Sequence, residues 1–372
     1  MEADRGMGSD ALAADGPCMS RHLRPTEPTR RPSVTVVVPC YNYGHYLPQA
    51  LATVLTQPGV DVEAIVIDDA SPDGSASVVR ELAAADARVR PILQTHNRGH
   101  IATYNEGLDQ ATGDYVVLMS ADDALTAGSL ARATALLEAH PSVGFAYGFP
   151  VVFAHDLPPA ESKVRSWTIW TGEEWIERRC RKGENCIHCP EVVMRTSVQH
   201  AIGGYDPDLP HSGDMEMWLR AASVSHVGRV NGPGQAYYRV HDASMQRTRY
   251  AGHLVDLQGR LDAFEGALVG PRSRLDRGDE LFATARRALA VAALDYACVA
   301  YEHGRPEPVE GYRAFAERVW PRARELRRWR AVDRRADAGR ARLERGWKWR
   351  SRRAARDLES RLRWRKWRRS GV

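Results

Sequence analysis

Asp122 and Asp123 follow closely on Tyr115 to Met119, five apolar residues in a row, with only Ser120 and Ala121 between. Such a run reads as a buried strand, and a carboxylate pair where it ends suits a divalent cation bound together with a phosphate. In open α/β sheets, ligands bind at the carboxyl ends of the strands, which is where this pair would lie. The competing reading is that both carboxylates cap the helix that follows. Choosing between them needs the elements that position the pair.

Apolar runs and helical spacings alternate along the first half of the chain. Strands are expected at Ser33 to Pro39, Val62 to Asp68, Val89 to Leu93, Tyr115 to Met119 and Phe145 to Phe153. Helices are expected between them at Tyr46 to Gln57, Ala76 to Ala85, Ile101 to Gln110 and Ser129 to Ala139. Strands about thirty residues apart with helices between make βαβ units, hence a doubly wound, mostly parallel α/β sheet. Three strand ends, near positions 39, 69 and 120, then carry polar or acidic residues. Past Pro159 the pattern changes to a helix at Glu173 to Cys180, a strand at Glu191 to Arg195, a helix from Gly213 and strands at Val227 to Val230 and Ala236 to Val240. Beyond Ala243 the chain turns helical.

Length and charge bound the rest. The chain has 372 residues, 43% of them hydrophobic, enough for one large or two modest domains. No run of eighteen apolar residues occurs and the start is polar, so neither a signal peptide nor a membrane span is expected. Residues 1–32, with four prolines, read as a disordered leader. Six scattered cysteines do not resemble a disulfide framework, and a cytoplasmic location is expected. The net charge of +5 is uneven: Arg318 to Val372 holds 22 Lys/Arg against 6 Asp/Glu, a net +16, which leaves −11 on the preceding residues.

Four motifs in this order resemble the inverting glycosyltransferases of family 2, which have the GT-A fold. They are Val-Val-Val-Pro39-Cys40-Tyr41-Asn42; Val66-Ile67-Asp68-Asp69-Ala70-Ser71-Pro72-Asp73-Gly74; Asn97-Arg98-Gly99 through Asn105-Glu106-Gly107; and Leu118-Met119-Ser120-Ala121-Asp122-Asp123. The resemblance covers about residues 33 to 245 and implies a nucleotide-binding half at 33–158 and an acceptor-binding half at 159–245. It implies that Pro39, Tyr41, Asn42, Asp69, Asn97, Arg98, Asn105 and Asp122 bind the nucleotide sugar, with a UDP-sugar as the expected donor. Asp69 can accept a hydrogen bond from a uracil-like base and Tyr41 can stack on it; alternatively Asp69 forms an Asx turn before Ser71. Asp122 and Asp123, with His241 of the Tyr237-Tyr238-Arg239-Val240-His241 segment, would hold Mn²⁺ or Mg²⁺ on the donor diphosphate.

Asp214 aligns with the family's catalytic Asp, which implies a general base for the acceptor hydroxyl; a helix N-cap is the alternative. Glu216, two residues on, points elsewhere on a helix. The sequence departs from the family at Ser120, where Asp is commoner, at Tyr104, where many relatives have Arg, and at Gly213, where the family has Glu. These departures support the rival reading of a non-catalytic protein on the same fold. The Gly-rich loop of a sugar-nucleotide pyrophosphorylase is absent near the first strand. Cys180, Cys186, His188 and Cys189 lie within ten residues; paired elements from two places are usual for zinc, so these residues are expected to shape the acceptor pocket instead.

Residues 246–317 form a helical extension and 318–372 a basic tail with six of the ten tryptophans. Indole and arginine together favour an anionic membrane surface over nucleic acid. An enzyme peripheral at the inner face of the cell membrane, acting on a hydroxyl acceptor such as a lipid-linked one in envelope polysaccharide or glycolipid synthesis, fits that tail. The alternative is a basic helix that packs its tryptophans on the catalytic domain.

Overall fold

The computed structural model describes residues 21–26, 30–242, 244 and 252–345. In chain order come β1 (Arg21–Leu23), β2 (Ser33–Cys40), α1 (Leu47–Leu55), β3 (Asp61–Asp68), α2 (Ser75–Ala85), β4 (Val89–Leu93) and α3 (His100–Asp109). Next are β5 (Tyr115–Leu118), β6 (Ala124–Leu125), α4 (Ser129–Ala139), β7 (Val143–Tyr147), β8 (Pro150–Phe153), β9 (Ser166–Trp170) and α5 (Gly172–Lys182). Then follow β10 (Val193–Arg195), α6 (Thr196–Ile202), α7 (Gly213–Ala222), β11 (His226–Asn231) and β12 (Ala236–Arg239). The helices α8 (His253–Leu268), α9 (Gly278–Glu302), α10 (Val309–Val319) and α11 (Arg327–Arg345) complete the described chain.

A nine-stranded sheet in the order β1-β9-β11-β7-β10-β5-β2-β3-β4 runs through the molecule. Its donor-side strands, β5, β2, β3 and β4, are all parallel, as βαβ connections require. Of these, β2, β3 and β5 are rich in β-branched residues and mostly buried on both faces, the pattern of a sheet sandwiched between helix layers. In β5, Val116 and Leu118 join one core while Tyr115 and Val117 join the other. All four parallel strands end on one edge, which brings residues 39–42, 69 and 119–123 together.

The single strand expected over Phe145 to Phe153 is two. It is interrupted at Gly148, where a Cβ would lie 2.3 Å from Gln235 Cγ, and β8 leaves for a small sheet with β6 and β12. The strand expected from Glu191 starts only at Val193, after a 3₁₀ turn. That strand, β10, runs antiparallel between β5 and β7. The sequence reading also overlooked β9, whose Trp167 and Trp170 are fully buried.

Two expected boundaries need correction. The leader is not wholly unstructured: Arg21–Leu23 pairs antiparallel with β9, and Arg30 bridges Asp114 and Glu138 at 2.8 and 2.7 Å. Nor is the helical extension separate from the sheet. Phe264, Leu289, Phe315 and Val332 belong to the same core cluster as Ile65, Val116 and Met194. The boundary at 317/318 falls inside α10, and Val332 of α11, beyond it, is fully buried. Charge counting missed this because an apolar stripe can pack while arginines of the same helix face water. No described helix is long and apolar enough to cross a membrane. The tail beyond residue 345 lies outside the described residues.

Candidate active site

The cleft is assembled first by backbone turns. Asn42 takes φ +61° just past β2, and its N–H donates to Ser71 Oγ at 3.0 Å. Pro39 is buried in β2 opposite Ile67, while Tyr41 at the mouth is 46% exposed, an aromatic face open for stacking. The Asx turn belongs to Asp68, whose Oδ2 accepts from Ser71 N–H at 3.2 Å. Asp69 instead accepts from the N–H groups of Arg98 at 2.7 Å and Gly99 at 3.0 Å, one on each oxygen. Asn97 adds a bond from Nδ2 to the Asp69 carbonyl. The carboxylate expected to read a base therefore also pins the 97–99 loop to β3, and a base would share its remaining lone pairs.

Two further expected donor contacts have protein partners. The Arg98 guanidinium pairs with Glu106 at 2.7 Å, so it would have to leave that partner to reach a phosphate. Asn105 donates from Nδ2 to the Tyr205 carbonyl at 3.0 Å and accepts Tyr205 N–H on Oδ1 at 2.7 Å. Both ends of its amide are satisfied by acceptor-side backbone, so the structure makes Asn105 a clamp between the halves. Gly204 permits this approach, because a Cβ there would lie 2.2 Å from Asn105 Oδ1.

At the end of β5, Asp122 Oδ2 lies 3.0 Å from His241 Nε2, joining residues 119 positions apart. The imidazole is boxed by Tyr43 and Tyr46, with ring centroids at 5.5 and 5.8 Å. Asp123 turns differently: its Oδ1 accepts Arg239 N–H at 2.9 Å and so anchors β12. Burial, followed by the neighbouring Asp122 charge, holds the Asp123 carboxyl well above the usual carboxylate range. The Arg239 side chain stacks between Tyr46 and Phe153 at 4.4 and 4.3 Å and donates from Nε to the Asp122 carbonyl. The sequence reading passed over this arginine, although its place in the Tyr-Arg-x-His segment marked it.

Among the described residues no three His, Cys, Asp or Glu side chains form a ready-made metal cage. A site of one carboxylate and one imidazole, with a second buried carboxylate beside it, nonetheless fits a hard divalent cation. Mg²⁺ in particular binds through one or two carboxylates plus substrate phosphates, not an all-protein cage. Cys180 is buried, the His188 ring packs on Tyr238 at 5.0 Å, and Cys189 Sγ lies 3.5 Å from the Tyr205 hydroxyl.

Across the cleft, Asp214 sits in the first turn of α7. Ser212 at the N-cap makes no side-chain cap, and Asp214 Oδ1 accepts from the N–H of Met215 at 2.8 Å. Its other oxygen, Oδ2, accepts from Asn185 Nδ2 at 3.1 Å. Burial raises the Asp214 carboxyl above its ordinary value. Cys189 is pushed up to about 12 by burial, then by the Asp214 charge and more weakly by Asp123. Tyr104, where the resemblance would put Arg, is half-buried and packs on Tyr205 at 5.4 Å between ring centroids. Glu216 points away, as expected, into a buried ion pair with Arg220 at 2.6 Å. Removing either partner of such a pair costs about 3–5 kcal/mol.

Residues 35–199 match the family model described as "Glycosyl transferase family 2". An uncharacterized glycosyltransferase of Nostoc sp. is 29% identical over 227 residues, 57% of this chain and 66% of the relative, so the match spans just under two thirds of that protein. The GalNAc(5)-diNAcBac-PP-undecaprenol beta-1,3-glucosyltransferase of Campylobacter jejuni is 38% identical over 100 residues, 27% of this chain and 32% of the relative. Among solved structures, mannosyltransferase PcManGT of Pyrobaculum calidifontis, in complex with GDP-Man and Mn²⁺, superposes with a TM-score of 0.55. It shares 20% identity, with 80% of this chain and 87% of that one covered. TarS 1–349 of S. aureus, in complex with UDP-GlcNAc, gives a TM-score of 0.52 at 16% identity, covering 79% and 90%. Likeness at that identity concerns the fold.

Proposed function

We propose, from the premise that this chain is a family 2 glycosyltransferase of GT-A fold, that it moves a sugar with inversion from a nucleotide-diphosphate donor to a hydroxyl acceptor in a cation-dependent reaction. The observation that carries the reading is the Asp122–His241 contact at the carboxyl end of β5, 3.0 Å between residues 119 positions apart. Asp69, Tyr41 and the 97–99 loop border the nucleoside, and Asp122 and His241 face its diphosphate. Asp214 takes the acceptor hydroxyl proton as the oxygen attacks the anomeric carbon. The bond from that carbon to the diphosphate breaks on the opposite side, which inverts the centre. What Mn²⁺ or Mg²⁺ supplies when bound is neutralisation of the charge gathering on the leaving diphosphate. Tyr104 packs on buried Tyr205 beside Cys189.

A panel of UDP-GlcNAc, other UDP-sugars and GDP-mannose, each with and without Mn²⁺, tests the donor side by thermal shift. A ligand at a hundred times its Kd stabilises by about 2.7 kcal/mol, a rise of several degrees. Stabilisation is expected with at least one nucleotide sugar and only with the cation. No shift with any donor would favour the non-catalytic alternative.

The acceptor side of the proposal is a lipid-linked hydroxyl reached from an anionic membrane surface, supported by the composition of residues 346–372. Those residues hold 11 Lys/Arg against 2 Asp/Glu, with four tryptophans. Because α11 packs into the core, the informative truncation removes 346–372 and leaves Val332 in place. That protein is expected to melt as the full chain does and to lose flotation with vesicles of anionic lipid, while flotation of the full chain weakens in high salt. Equal flotation of both forms would end the tether proposal.

A further inference from the structure

Asn185 lies in the short segment between α5 and the 3₁₀ turn that precedes β10, in none of the four family-like motifs. Its side chain is fixed at both ends. Oδ1 accepts Ile187 N–H at 3.1 Å, and Nδ2 donates to Asp214 Oδ2 at 3.1 Å. A backbone N–H can only donate, so it dictates which end of the amide faces it, and the NH₂ group must then face the carboxylate. The orientation of the donor at Asp214 is thus set by the fold and does not wait for a substrate.

Other groups around Asp214 cannot play this part. Cys189 lies on the 3₁₀ turn, Tyr205 between α6 and α7 and Tyr104 on α3, and desolvation pushes all three above their ordinary values, so they stay neutral at physiological pH. His211, three residues upstream, favours the charged carboxylate through a weaker effect at longer range than the Asn185 bond. Glu216, on the same helix, is held by Arg220. Burial favours the protonated acid, and a protonated Asp214 cannot accept a proton. The two hydrogen bonds, from Met215 N–H and from Asn185, oppose that effect.

We infer that Asn185 is a positioning residue for the reaction: its amide, oriented by Ile187 N–H, donates to one Asp214 carboxylate oxygen and holds it, so that the carboxylate is aimed at the acceptor hydroxyl. The inference rests on the reading of Asp214 as the base. It assigns a role in catalysis to the 183–188 segment, which sequence motifs leave blank.

The test is a carboxyl ¹³C NMR titration of the full chain labelled with [4-¹³C]aspartate, with the Asp214 resonance assigned by its loss in Asp214→Asn. A hydrogen bond to a charged group corresponds to about one to two pH units, so Asn185→Ala is expected to raise the Asp214 midpoint by that amount. The acid limb of kcat/KM should move up with it while the donor thermal shift is unchanged. Asn185→Asp, nearly isosteric, sets a second carboxylate against Asp214 and should raise the midpoint further, which covers a failure of the alanine variant to fold. An unmoved Asp214 midpoint in the folded variant overturns the inference. Failure of the underlying reading looks different: Asp214→Asn would then keep full turnover, whatever the titration shows.

Discussion

Asp214→Asn lowers turnover by about 10²–10⁴-fold, the usual contribution of a positioned general base, while donor affinity stays within a few-fold of the wild type. The exchange keeps the shape, and the new amide oxygen can still accept Met215 N–H as Asp214 Oδ1 does. An acceptor hydroxyl at neutral pH is a weak nucleophile unless its proton is removed, and no amide can remove it. Donor affinity survives because the residues proposed to contact nucleoside and diphosphate lie at the ends of β2, β3 and β5, on other elements than α7. Steady-state kinetics with the donor found by thermal shift, beside a melting curve, read both effects. Undiminished turnover in the folded variant would remove Asp214 from the mechanism.

Asp122→Asn weakens Mn²⁺-dependent binding of the nucleoside diphosphate by about a hundredfold, or ~2.7 kcal/mol, and leaves cation-free binding nearly unchanged. The variant loses a charge but keeps an oxygen and its place beside His241, so the change isolates the cation from the architecture. Asp123→Asn is the informative companion. Its amide oxygen can still accept Arg239 N–H, so β12 stays anchored while the second negative charge goes. Isothermal calorimetry with and without Mn²⁺ separates the terms. Wild-type affinity for the Mn²⁺ complex in Asp122→Asn would show that this carboxylate does not hold the cation.

The strands that lead to Asp69 and Asp122 were legible because each is a short apolar run bounded by polar residues, with helical spacing on either side. Val89–Leu93 and Ser129–Ala139 are found in the structure with the bounds expected from the sequence. What periodicity could not supply was partnership. Val193–Arg195 is three residues long, and nothing local in it says that it pairs with both β5 and β7. Gly148 looked like one more residue of a strand because the Gln235 side chain that excludes a Cβ there lies 87 positions away. The site shows the same division. Residue types and order placed Asp122, Asp123 and Asp214 at their positions in the chain, but that Asp123 anchors β12, that Asn105 clamps Tyr205 and that Asn185 holds Asp214 are facts about distant contacts. The tail misled for a related reason: its charge is a sum over residues, whereas Trp329 and Val332 pack through a stripe one helical turn long.

The antiparallel insertion of β10 also decides how this molecule can move. Met194 is paired with Val116 on one side and with Phe145 on the other, so a strand from the acceptor side is laced into the middle of the donor sheet. Enzymes whose two halves are joined by a linker can close on substrate by a hinge, at the expense of a few backbone rotations. Here a hinge would have to tear two ladders of backbone bonds, an event that belongs with partial unfolding and not with turnover. The site is therefore carried preformed on a body that stays rigid on the timescale of the reaction, with the 97–99 loop pinned by Asp69 and the 183–188 segment tied to Asp214 through Asn185.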